Sequence, residues 1–202
     1  MLEKNISING ELAKFIYLDN ILYSDELTKL EQYLDTLEFR SGKLGKSKEI
    51  PRQQLWFHQN QKYFCDEWKC KYPRWESNTY SSFLIDIQNK INDITNKYVS
   101  EEIIFNSCLI NKYRDGTDSI KPHRDTPISF GEYPIISGLS LKSSRKIVIR
   151  PIEEDIEQIE FELAPNSLFI MAGASQKYFT HEIPKNNSKL ERYSLTFRKH
   201  LL

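Results

Sequence analysis

Two halves of the chain follow different rhythms. Before residue 100, apolar side chains recur every three or four positions in two places, and from Phe105 onward they alternate with polar ones at a period near two. Leu27, Leu30, Leu34 and Leu37 fall on one helical face, with Ser24 as the expected N-cap. A second helix, starting near Ser81 or Ser82, sets Phe83, Ile87, Ile91 and Ile94 on one side. Between these helices, from about Arg40 to Tyr80, the chain is rich in Lys, Arg, Trp, Tyr and Gln and has little periodicity. Beyond Ile103 the pattern predicts short strands over 105–113, 135–141, 146–151, 159–163, 167–171, 178–183 and 192–199. Helices followed by a run of strands imply a mainly β, α+β domain with its helices packed outside a β-sandwich.

The same alternation sorts the polar residues. Over 192–198, Arg192, Ser194, Thr196 and Arg198 point to one face, and Tyr193, Leu195 and Phe197 to the other. Two guanidinium groups and two hydroxyls are costly to bury against hydrocarbon, so that face belongs to a polar cavity holding an anion. Upstream, Asn111 and Tyr113 share a face with Leu109 and Phe105. After a turn containing Gly116, the chain reaches His123 and Asp125, again of equal parity. If 122–125 is extended, both side chains project to one side and can chelate one ion. With His181 they make two imidazoles and a carboxylate, the donors of a non-haem Fe(II) site that leaves its other positions open for a cosubstrate and O2. A His-x-Asp alone is weak evidence; the arginine-bearing strand downstream gives it weight.

Composition narrows the picture modestly. A chain of 202 residues suits one domain with a substantial core, and 39% hydrophobic and 28% charged residues are ordinary for a globular protein. Formal net charge is zero, so contact with a polyanion must come from local patches. No apolar run is long enough to cross a bilayer, and the N-terminus lacks a signal-peptide core. Cys65, Cys70 and Cys108 form an odd set that reads as reduced thiols in a cytosolic or nuclear compartment. Cys65 and Cys70 lack the second close pair that structural zinc requires.

Six groups of residues, taken in order, resemble the AlkB family of 2-oxoglutarate- and Fe(II)-dependent dioxygenases. They are Asn111-Lys112-Tyr113-Arg114-Asp115-Gly116, Ser119-Ile120-Lys121-Pro122-His123-Arg124-Asp125, Pro134-Ile135-Ile136-Ser137, Asn166-Ser167-Leu168 with Met171, His181, and the 192–198 strand. The nearest likeness is to the branch that repairs alkylated DNA bases. It runs from about Phe105 to Lys199, with a weaker match at 15–39 and 50–54. The resemblance implies a double-stranded β-helix (jelly-roll) core in a single domain, 1–202. Residues about 1–100 would supply helices and a nucleotide-recognition lid, and about 101–202 the catalytic core. It also implies Fe(II) on His123, Asp125 and His181, and 2-oxoglutarate with its distal carboxylate on Arg192. Tyr113 and Thr196 would add hydrogen bonds there, Asn111 would contact the metal-proximal part, and Arg198 would orient Asp125. The chemistry implied is oxidation of an N-alkyl carbon, released as an aldehyde, with O2 consumed and 2-oxoglutarate converted to succinate.

For substrate, the resemblance implies alkylated DNA or RNA carrying bases of the 1-methyladenine and 3-methylcytosine type, handled by a monomer. A base inside a duplex must be flipped out and stacked to reach a buried iron. Trp56, Tyr63 and Phe64 are candidate stackers. The basic residues Arg40, Lys43, Lys46, Lys48, Arg52, Lys69, Lys71 and Arg74, with Arg145 and Lys146 in a second strip, are candidate phosphate contacts. Two departures bear on specificity. Thr126-Pro127 follow the iron-binding Asp where duplex-repair members have acidic residues, and 41–46 offers only Leu44 where duplex-preferring members carry an aromatic wedge. A protein or small-molecule hydroxylase on the same fold is the alternative. A nucleic-acid-binding module without catalysis is a third reading, opposed by the intact set of His123, Asp125, His181, Arg192 and Arg198.

Overall fold

The computed structural model describes residues 1–44, 48–68, 71–153 and 156–201. An N-terminal hairpin, β1 (Leu2–Ile8) and β2 (Glu11–Leu18), precedes α1 (Ser24–Asp35). Then come β3 (Arg40–Leu44), β4 (Lys48–His58), β5 (Ser77–Asn78), α2 (Ser82–Thr95), β6 (Ser107–Tyr113) and β7 (Ile120–His123). The short α3 (Pro127–Phe130) leads into β8 (Ile136–Leu141), β9 (Arg145–Pro151), β10 (Ile159–Leu163) and β11 (Ser167–Gly173). The one-turn α4 (Ser175–Tyr178), β12 (Phe179–Ile183) and β13 (Arg192–Arg198) complete the domain.

The strands form two sheets. The larger runs β1-β2-β11-β8-β13-β6-β4-β3, with β5 adding a short parallel pair to β4, and the smaller runs β10-β9-β12-β7. Except for that pair, every ladder is antiparallel. The central large-sheet strands therefore have one face toward the small sheet and one toward the helices. Leu139, Leu195 and Ile110 pack with Leu30, Leu34, Ile87 and Ile91 of the helix layer. Phe15, Phe169, Ile149 and Phe179 fill the space between the sheets. Leu30 and Leu34 are fully buried, and each contributes about 1.5–3 kcal/mol. This is the jelly-roll sandwich with helices outside that the sequence implies.

The helix starts differ slightly from expectation. In α1 the cap is Tyr23, not Ser24; its backbone N–H donates to the Glu26 carboxylate at 2.8 Å. In α2, which starts where the sequence predicts, Ser81 is the cap and its Oγ accepts the Leu84 N–H at 3.2 Å. A larger difference lies in the first hundred residues, which carry β1–β5 as well as two helices. β2 is buried on both faces, so Phe15, Ile16, Tyr17 and Leu18 read as a continuous apolar run rather than an alternation. In β4, Leu55 and Phe57 face the helices, while Arg52 and Gln54 face the cavity, and those inward polar residues disguise the strand. No helix among the described residues is long and apolar enough to cross a membrane.

Candidate metal and cosubstrate site

Pairing of β7 with β12 sets His123 directly opposite His181, with ring centroids 4.2 Å apart. Asp125 follows two residues after the last position of β7. The donor atoms of His123, Asp125 and His181 all lie within 4.8 Å of one another. His123 Nδ1 sits 2.9 Å from the Lys121 carbonyl, which can only accept, so that nitrogen carries the proton and Nε2 keeps its lone pair. Burial pushes the His181 pKa down to about 3, with the His123 charge adding to it, and burial lowers His123 as well. Both rings are therefore neutral at pH 7, as metal ligands must be. Burial alone would raise Asp125, but Arg198 beside it outweighs that and holds the carboxyl below its usual range.

Arg198 grips that carboxylate with two nitrogens: Nε bonds Oδ2, and Nη2 lies 3.3 Å from Oδ1. Both side chains are 5% exposed, and the Thr196 carbonyl accepts from Nη1 at 3.1 Å. Such a fork fixes the carboxylate plane. His181 Nδ1 is buried with no hydrogen-bond partner among the described residues. Two neutral imidazoles and one oriented carboxylate fit the donor set of Fe(II).

The second half of the site is β13. Its register places Arg192 opposite Tyr113 and Ser194 opposite Asn111 on β6. Arg192 is 1% exposed; Nη2 donates to Ser140 Oγ at 2.8 Å, and Tyr113 lies under the guanidinium at 5.2 Å. Nε and Nη1 are buried with no partner among the described residues. Burial pushes its pKa down to about 10, so it stays charged at neutral pH. Two unused donors on a buried cation fit a carboxylate, as the dicarboxylate reading requires. Asn111 is oriented by its neighbours. Its Oδ1 accepts from Arg52 Nε and Gln54 Nε2, each at 3.0 Å, so Nδ2 is the end available to a ligand. Thr196 and Arg198 line the same cavity of roughly 230 Å³ as the two histidines, Asp125, Asn111, Tyr113 and Arg192.

The residues expected to meet substrate divide. Phe64 lines the cavity, stacked on Trp75 at 4.3 Å and on Trp68 at 5.9 Å. Trp68 and Trp75 line it too, and the sequence reading missed both, because they sit in the aperiodic stretch where no spacing separates a wall from a core. Trp56 is fully buried beneath this wall, its indole N–H on the Lys62 carbonyl at 2.9 Å, so it does not stack on a ligand. Tyr63 is 9% exposed, and its hydroxyl bonds the Tyr72 carbonyl at 2.7 Å; it holds the loop rather than facing the cavity.

The basic residues divide as well. Arg52 turns inward, with Nη1 on the Ser119 carbonyl at 3.2 Å, and forms cavity wall rather than a phosphate track. Arg40 bonds the Pro73 carbonyl and Asn78, and Arg74 lies over the Tyr72 and Trp75 rings. Lys46, Lys69, Cys70 and the side chains of Leu44 and Lys48 lie outside the described residues. Arg145 is 1% exposed and donates to the carbonyls of Asp115, Asp118 and Pro184 at 3.2, 2.8 and 2.6 Å. It ties the turn after β6 to the segment after β12, where Gly116 passes too close to Asn186 to admit a Cβ. A phosphate contact is excluded by that burial. Arg145→Ala should cost about 2–4 kcal/mol of stability, because three charge-assisted bonds are lost and their carbonyls stay buried. Urea unfolding measures it, and an unchanged midpoint would refute the latch.

A sandwich that brings a His-x-Asp pair and a distant histidine to one end of a cavity, and a buried arginine to the same cavity from β13, is the design of a non-haem iron oxygenase with a dicarboxylate cosubstrate. The chain belongs to the 2OG-Fe(II) oxygenase superfamily, whose model matches residues 14–198. Enzymes of that superfamily use Fe(II), 2-oxoglutarate and O2. Among characterised proteins, the chain is 39% identical over 103 residues to mouse (Mus musculus) alpha-ketoglutarate-dependent dioxygenase alkB homolog 3, covering 46% of this chain and 36% of that protein. It is 30% identical over 103 residues to mouse DNA oxidative demethylase ALKBH2, covering 47% and 43%. Each alignment spans less than half of the relative's length. The solved structure of OsALKBH1 superposes with a TM-score of 0.60 at 15% identity, covering 92% of this chain and 97% of that one, which supports the fold.

Proposed function

We propose that this chain is an Fe(II)- and 2-oxoglutarate-dependent oxidative demethylase of N-alkylated bases in DNA or RNA. The observation that carries the reading is the wall of Phe64, Trp68 and Trp75 in the same cavity as His123, Asp125 and His181. A flat aromatic surface beside a metal centre suits a flipped base, whose stacking contributes about 1–3 kcal/mol. The name of the mouse relative DNA oxidative demethylase ALKBH2 supports the same substrate class.

His123, Asp125 and His181 would hold the iron. Arg192 would pair with the distal carboxylate of 2-oxoglutarate, steadied by Ser140, and Asn111 would donate through Nδ2. Arg198 keeps Asp125 ionised and in plane. When bound, iron and 2-oxoglutarate with O2 supply the oxidation that turns an N-alkyl carbon into a hydroxyalkyl group, which breaks down to an aldehyde and the free base.

The test is mass spectrometry of 1-methyladenine and 3-methylcytosine oligonucleotides, as single- and double-stranded DNA and as RNA. Loss of the methyl group with formaldehyde release is expected. Iron-dependent succinate formation that no methylated oligonucleotide stimulates would instead favour the hydroxylase reading. Binding should weaken steeply with salt, by about one slope unit for each phosphate-contacting cation. With Arg52 and Arg145 turned inward, that slope should reside in exposed cations such as Lys43, Lys71, Lys121 and Arg124.

A further inference from the structure

We infer that the substrate chamber selects neutral alkylated bases, those with a carbonyl where the cationic ones carry an amino group beside the alkylated nitrogen, over the cationic ones. This rests on the base-demethylase reading above.

The charges lining the cavity are lopsided. Its wall carries four arginines, Arg52, Arg124, Arg192 and Arg198, and among the described residues a single carboxylate, Asp125. Asp125 is engaged by both nitrogens of Arg198 and belongs to the triad. Asp118 and Glu132, each seven residues from Asp125, are not part of the lining: Asp118 is gripped by Arg114 at 2.8 and 2.9 Å, and Glu132 lies 3.6 Å from the Lys177 ammonium. Asp66 and Glu67, on the turn that carries Trp68, are exposed and outside it. A divalent metal and a dicarboxylate cancel each other's charge, so loading the site leaves the excess positive charge in place.

Arg52 is the cation placed for a base. Its Nε and Nη1 are fixed by Asn111 and the Ser119 carbonyl, while Nη2 has no protein partner among the described residues. It shares the cavity with the Phe64–Trp75 stack and His123. A guanidinium only donates. Thr126, next to the metal-binding Asp125, contributes a hydroxyl to the lining and no charge.

Methylated bases come in matched pairs that probe this arrangement. 3-Methylcytosine is cationic at neutral pH and presents an amino group beside the methylated nitrogen. 3-Methyluracil has the same outline, is neutral, and presents a carbonyl there. 1-Methyladenine and 1-methylhypoxanthine are related in the same way. An Arg52 donor complements the carbonyl, whereas it opposes the amino group by both charge and hydrogen-bond sense, in a chamber where water screens little.

The experiment compares 3-methyluracil with 3-methylcytosine in one single-stranded DNA sequence. Turnover is followed by mass spectrometry, and binding by fluorescence anisotropy of the Fe(II)- and 2-oxoglutarate-loaded protein without oxygen. Wild type should favour 3-methyluracil by about tenfold or more in both measurements. Arg52→Gln should bring the ratio toward one, while Arg52→Lys should keep most of it. Thr126→Asp, which leaves Arg52 and its partners untouched, should shift the ratio toward 3-methylcytosine. Equal or preferred use of 3-methylcytosine by wild type would overturn the inference and leave the demethylase reading intact. A wild-type preference that neither Arg52→Gln nor Thr126→Asp moves would overturn the assignment to this charge arrangement. Failure of every methylated base would instead overturn the demethylase reading on which the inference stands.

Discussion

Alanine at His123 or His181 should abolish iron-dependent turnover and leave the fold standing, whereas alanine at Asp125 should cost stability as well. The two histidines are neutral, and their rings face one another across β7 and β12. Removing either leaves two donors, too few to hold Fe(II) at micromolar supply when affinity is shared among so few bonds. Asp125 differs because it neutralises Arg198, and both side chains are 5% exposed. Its loss leaves a buried guanidinium unpaired, which costs about 3–5 kcal/mol. Iron titration under anaerobic conditions and thermal unfolding of the apoprotein separate the two effects. All three variants should lose the tight iron site, and Asp125→Ala alone should melt well below wild type. Retained iron affinity in His123→Ala or His181→Ala would remove that residue from the site. An unchanged melting temperature in Asp125→Ala would mean the Arg198 pair contributes little to the fold.

How much of this was legible in the sequence depended on which face of each strand met water. Strand β13 was readable to within a residue because its two faces differ in kind. Tyr193, Leu195 and Phe197 enter the helix-side core, and Arg192, Ser194, Thr196 and Arg198 line the cavity. The same alternation brought Asn111 and Tyr113 to that cavity. Strand β4 was not readable, because Arg52 and Gln54 point into the protein and look, in one dimension, like solvent-facing residues. Burial of charge is a tertiary fact. Arg145 shows this most plainly: the sequence offers a basic residue beside Lys146, yet the fold surrounds it with the carbonyls of Asp115, Asp118 and Pro184. The aromatic wall was half legible. The neighbourhood of Phe64 marks it as a candidate stacker, but Trp56, only eight residues earlier, lies beneath the wall, and composition does not separate the two.

Replacing Arg192 should raise the apparent KM for 2-oxoglutarate by about ten- to a hundredfold in the alanine variant, and by much less in lysine. Two of its nitrogens are buried with no hydrogen-bond partner among the described residues, and the third is fixed by Ser140. A guanidinium held this way can meet a carboxylate with two parallel bonds at little further ordering cost. Lysine keeps the charge but offers a point donor, so it should recover part of the binding. Ser140→Ala supplies an internal control: it releases one nitrogen while leaving the charge, and should raise KM only a few-fold, in line with one ordinary hydrogen bond of about 0.5–1.5 kcal/mol. Steady-state turnover with 2-oxoglutarate varied at saturating iron gives all three values. If Arg192→Ala leaves KM unchanged, the carboxylate is held elsewhere. If lysine proves as poor as alanine, the geometry of the fork outweighs its charge, and the cosubstrate is recognised mainly by shape.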